Sequence, residues 1–125
     1  MSHNNLTSKQ EFVEQFRKRT KELAIDTIHF SQCLPRTEEV TIMKRQLLRS
    51  ATSVGANYRA ACRARSSAEF YSKISIVIEE ADETLYWLEL LEESGITSKA
   101  TIINLVKDTT EIVSVLAKAR KNTIK

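Results

Sequence analysis

An all-α fold, an antiparallel up-down-up-down four-helix bundle, is what the sequence predicts, and three observations predict it. Two glycines and one proline in 125 residues leave almost no material for tight turns, while Ala, Leu, Glu, Lys, Arg and Ile dominate and favour helix over strand. Apolar residues recur at helical spacing in four stretches of similar length. The breaks between those stretches are a few residues each, and short connections make consecutive helices antiparallel neighbours. A hydrophobic content of 42% is enough for one continuous core, so a single domain over residues 1–125 is expected.

The first helix is expected over about residues 8–32, with Phe12, Phe16, Leu23 and Ile28 at helical spacing and Cys33-Leu34-Pro35 ending it. Thr37 is the N-cap expected for a second helix over 37–65, with Glu38 and Glu39 at the positive end of its dipole. Val40, Met43, Leu47, Val54, Tyr58 and Ala61 form the seam of that helix. Ser66 and Glu69 read as a capping box, each side chain meeting the other's backbone amide, and so open a third helix over 67–94. Gly95 stops it, and Thr97 or Ser98 caps a fourth helix over 98–120.

The third helix has two apolar sides. Phe70, Ile74, Val77, Ala81, Leu85 and Leu88 cluster on the side expected to face the bundle core. Ile76, Tyr86, Trp87 and Leu90 point roughly the other way, and a second apolar face carrying the only Trp predicts a subunit interface. Gly55 and Ala56, in mid-helix, are expected to admit a neighbouring helix, with Asn57 as a helix-to-helix hydrogen-bond donor.

The net charge is only +3, but its distribution is uneven. Residues 37–65 carry six basic and two acidic side chains, residues 66–94 carry one basic and eight acidic, and residues 97–125 carry six basic and two acidic. Helical geometry places Arg45, Arg49, Arg59 and Arg63 in one stripe opposite the apolar seam, with Lys44 and Arg65 at its margins. Such a stripe suits the phosphates of a nucleic acid, RNA or DNA alike. The alternative is that the arginines pair with Glu79, Glu83 or Glu93 of the acidic helix.

The run from Arg49 through Ser50-Ala51-Thr52-Ser53-Val54-Gly55-Ala56-Asn57-Tyr58 to Arg59 carries a resemblance, together with Ala61-Cys62-Arg63-Ala64-Arg65-Ser66, Ala68-Glu69-Phe70 and residues 80–91. In order and spacing these blocks resemble the bacterial four-helix-bundle family also called the 23S rRNA intervening-sequence proteins. The resemblance covers the second and third helices; helices one and four match only in length and pattern. It implies a ring-like homopentamer and kinship with the accessory variability protein of diversity-generating retroelements, which partners reverse transcriptase and nucleic acid. Ala60 stands where the family pattern leads one to expect an acid, and Ser67 where a basic residue is common.

Other classes fit less well. The longest apolar run, Ile74 to Ile78, is far short of the roughly 20 residues of a membrane span, and Met1-Ser2-His3-Asn4-Asn5 lacks the features of a leader, so a cytoplasmic protein without membrane contact is expected. Cys33 and Cys62 read as reduced thiols, and His29 with Cys33 is too few ligands for zinc. Glu79-Glu80-Ala81-Asp82-Glu83 matches the EExxE pattern by which all-helical nucleotide pyrophosphohydrolases hold magnesium. Their second motif, ExxD, is absent: Asp108-Thr109-Thr110-Glu111 has the reverse order. The expected function is therefore a non-enzymatic, homo-oligomeric, nucleic-acid-binding or scaffold protein that needs no cofactor. The alternatives are a magnesium-dependent nucleotide pyrophosphohydrolase and a purely protein-binding assembly module.

Overall fold

The computed structural model describes residues 7–123, and among them four helices form a four-helix bundle. They are α1 (Ser8–Ser31), α2 (Glu38–Cys62), α3 (Ser67–Glu93) and α4 (Lys99–Lys121). Met1 to Asn5, the polar start noted above, lies outside the described residues.

Each helix begins on a hydroxyl. The side chains of Thr7, Thr37, Ser66 and Ser98 accept from the backbone N–H three residues on, at 3.0, 3.3, 3.0 and 3.1 Å, each contributing about 1 kcal/mol. Ser98 is thus the cap of α4 rather than Thr97. The expected capping box at α3 is shifted by one residue: Glu69 Oε1 accepts from the N–H of Arg65 at 2.7 Å, not from that of Ser66. The complete box is instead at α1, where Gln10 Oε1 accepts from Thr7 N–H at 2.8 Å. Helix α2 ends at Cys62, three residues earlier than expected, because the Arg63 and Ala64 amides turn back to the carbonyls of Ala60 and Ala61 in a tightened last turn. Gly95, at φ +82°, ends α3 by turning the Ile96 and Thr97 amides onto the Leu91 carbonyl.

The helices pack with a seven-residue period. Buried positions run 74, 77, 81, 84, 88, 91 along α3 and 102, 105, 109, 112, 116 along α4. This spacing suits neighbours inclined by about 20° with side chains interlocked. The expected α2 seam is buried throughout, from Val40 to Ala61. On α1 the buried line is Phe16, Thr20, Leu23, Thr27 and Ser31, whereas Phe12 and Ile28 are exposed. On α3, Phe70 and Leu85 are only half-buried, while Thr84 and Leu91 complete the core.

Pairs across the bundle show the antiparallel order. Phe16 meets Tyr58 edge-on at 5.2 Å between ring centroids, Ser50 meets Thr84 at 2.9 Å, and Arg120 reaches Ser75 at 3.2 Å. Helix α2 packs between α1 and α3, and α3 between α2 and α4. Helices α1 and α4 touch more sparingly, with Arg19 and Glu111 paired across their seam. No helix among the described residues is long and apolar enough to cross a membrane.

Candidate nucleic-acid interface

The four arginines of α2 share the helix face opposite its seam, but the neighbouring helices divide them. Arg49 leans toward α3. Its guanidinium bonds to Glu83 and lies 3.3 Å from Glu80 Oε1, while its Nε donates to Gln46. Glu83 accepts in addition from the indole N–H of Trp87 at 3.1 Å. The Arg49 bond, and after it the Trp87 bond, hold the Glu83 carboxyl below the ordinary glutamate range. Arg49 is therefore occupied by the acidic helix, though by Glu80 and Glu83 rather than by Glu79 or Glu93.

The remaining arginines are disposed differently. Arg45, Arg59 and Arg63 are exposed, and among the described residues none has a carboxylate within 4 Å. Lys44 is half-buried beside them, and Arg65, almost fully exposed, has its Nε 3.6 Å from Glu69 Oε1. Arg59 leans toward α1, where it borders an open groove of about 430 Å³ together with Arg17, Lys18 and Lys21. Glu14 is the one acid at this groove, and it stands 3.5 Å from Arg17.

The α1 cations do not stand out along their own helix, because the groove is assembled between two helices. A signal was present in the spacing of Thr52, Gly55, Ala56 and Arg59, which places short residues and one cation on a single face. Gly55 sits against α1 backbone: a Cβ built on it would stand 3.3 Å from the Thr20 carbonyl oxygen. Ala56 is exposed at the groove, and Asn57 donates to the Ser53 carbonyl of its own helix at 2.9 Å instead of bridging to another. That local bond is a common resting place for a mid-helix Asn.

The second apolar side of α3 is likewise divided. Ile76 and Tyr86 are exposed, whereas Trp87 and Leu90 are half-buried and pack against the core. Tyr86 meets Trp87 edge-on at 4.9 Å. Of the EExxE carboxylates, Glu80 and Glu83 both face Arg49, and no cluster of three or more metal-ligating side chains occurs among the described residues.

Three comparisons with known proteins bear on the chain. A family model described as 23S rRNA-intervening sequence protein matches residues 14–118. No curated protein matches at a significant level. Among solved structures, a protein of unknown function from the S23 ribosomal protein family of Bacteroides thetaiotaomicron superposes with a TM-score of 0.78 at 35% identity, covering 84% of this chain and 97% of that one.

Proposed function

The chain belongs to the 23S rRNA-intervening sequence protein family, and we propose that it is a non-enzymatic bundle that associates with copies of itself and binds nucleic acid through phosphate contacts. One observation carries this: Arg45, Arg59 and Arg63 stand exposed on one helix face with no carboxylate within 4 Å among the described residues. Guanidiniums left without protein partners are donors for phosphate oxygens. Self-association repeats the face, so that several modest sites add on one polyanion.

Arg49 does not belong to that surface, since Glu80 and Glu83 already neutralise it. The same pairing argues against magnesium chemistry, because two of the carboxylates of the acidic motif are engaged by a cation. Binding is independent of base sequence, as phosphate contacts carry no base information.

Salt titration of binding to a labelled single-stranded oligonucleotide tests this. The logarithm of affinity falls linearly with the logarithm of salt concentration, and each of Arg59→Ala and Arg63→Ala lowers the slope by about one per site. Arg49→Ala leaves the slope unchanged. Absence of binding at low salt, or binding indifferent to salt, overturns the proposal in favour of an assembly module alone.

A further inference from the structure

Building on the proposed nucleic-acid binding, we infer that the groove between α1 and α2 is a second phosphate-binding site, formed by Arg17, Lys18 and Lys21 of one helix and Arg59 of the other. These four cations face a single carboxylate, Glu14, which is drawn to Arg17 at 3.5 Å. Lys18, Lys21 and Arg59 have no carboxylate within 4 Å among the described residues.

Short residues complete the lining of the groove. Ala24, Thr52, Gly55 and Ala56 are too short to fill the groove or to reach the charges above it. At Gly55 the two helices are so close that even a methyl group would press on the Thr20 carbonyl. The backbones that carry the cations are therefore held close together, and an anion entering between them meets charges from both helices without loss of further backbone freedom.

The Arg17 side chain is 43% exposed at the groove, with its Nε buried and without a hydrogen-bond partner among the described residues. The groove extends along α1 from Glu14 to Ala24, about 15 Å at 1.5 Å per residue, which exceeds the reach of one phosphate. Its lining contains no aromatic ring on which a base could stack. The ligand chemistry is thus a run of consecutive phosphate groups, supplied by a nucleic-acid backbone or by a free polyphosphate.

Calorimetry with inorganic tripolyphosphate and anisotropy with a single-stranded oligonucleotide separate the two sources. The groove variant is Lys18→Ala with Lys21→Ala, both exposed side chains, and the outer-face variant is Arg45→Ala with Arg63→Ala. The expected result is that both probes bind, that the groove variant weakens each about tenfold, and that Glu14→Gln strengthens each by removing the one opposing charge. Tripolyphosphate binding that is lost in the groove variant, with no oligonucleotide binding at all, upholds the site for free polyphosphate while the nucleic-acid proposal falls. Oligonucleotide binding that depends on Arg45 and Arg63 but not on Lys18 and Lys21, with no groove-dependent binding of tripolyphosphate, overturns the site while the nucleic-acid proposal stands.

Discussion

Trp87 donates its indole N–H to Glu83 Oε2 at 3.1 Å, and the same oxygen accepts from Arg49. The sole tryptophan of the chain therefore reports on the ion pair that ties α2 to α3. Both donors favour the ionised carboxylate, Arg49 more than Trp87, so the folded pKa of Glu83 lies below the ordinary glutamate value of 4.5. A depressed carboxyl contributes stability that is complete above its unfolded pKa and is lost as pH falls through the folded one. Trp87 fluorescence should accordingly change in a step centred below pH 4.5, and Glu83→Gln should abolish that step. A midpoint at or above the ordinary value would show that the pairing is absent in solution.

The two glycines predict opposite kinds of damage. At Gly55, a helical residue, the obstacle is the Thr20 carbonyl, and backbone cannot swing aside as a side-chain tip can. Gly55→Leu should cost about 1–3 kcal/mol by forcing α1 from α2. At Gly95 a Cβ would have nothing within 4 Å, but φ is +82°, so Gly95→Ala should cost about 1 kcal/mol through the backbone alone. Urea melts measure both. Intact phosphate binding in Gly95→Ala and weakened binding in Gly55→Leu would separate the local effect from the interhelical one.

What the sequence made legible was the number of helices, the caps Thr37 and Ser66, the Gly95 stop and the α2 seam, because hydroxyl caps, Gly95 and Val40 to Ala61 are strong local signals. What it concealed on α3 has one cause. A 100° wheel describes a straight helix, whereas a seven-residue pattern drifts about 20° per heptad relative to it. Over the length of α3 that drift moves Leu85 out of the core and brings in Thr84 and Leu91. Thr20, Thr27, Ser50, Thr84 and Thr109 are also buried, and hydropathy counts them as surface residues. Each donates to a carbonyl of its own helix, which frees its methyl or small volume to pack. At the site, Arg49 stood in the predicted stripe because helix geometry alone cannot tell which arginine a neighbouring acid will take.

Ser50 and Thr84 illustrate how such buried hydroxyls should respond to mutation. Their oxygens are 2.9 Å apart, and each also lies within hydrogen-bond distance of a carbonyl in its own helix, Leu47 and Glu80 respectively. Two protons serve three contacts, so neither hydroxyl is orphaned when the other is removed. Ser50→Ala and Thr84→Val should each cost under about 1 kcal/mol, short of the full penalty for an unsatisfied buried group. A loss of 2 kcal/mol or more in either, measured by urea denaturation, would mean that the interhelical bond matters more than the local ones.

Self-association can be tested on the part of the α3 face that the core does not already use. Trp87 and Leu90 pack against the core, so substituting them would confound assembly with folding. Ile76 and Tyr86 are 38% and 54% exposed, which makes them the residues to charge. Ile103 on α4 is 56% exposed and serves as the control, since burying one isolated isoleucine or leaving it in water says little about an interface. Light scattering coupled to gel filtration should give a mass several times 14.3 kDa for the native chain, fivefold if the number implied by the family resemblance holds. The double change Ile76→Glu with Tyr86→Glu should shift it to the monomer while the helical circular dichroism is retained, because carboxylates at a subunit contact are left desolvated and unpaired. Ile103→Glu should leave the assembly intact. A native monomer would dismiss the α3 face as an interface, and an assembly that survives the double change would move the contact elsewhere on the bundle.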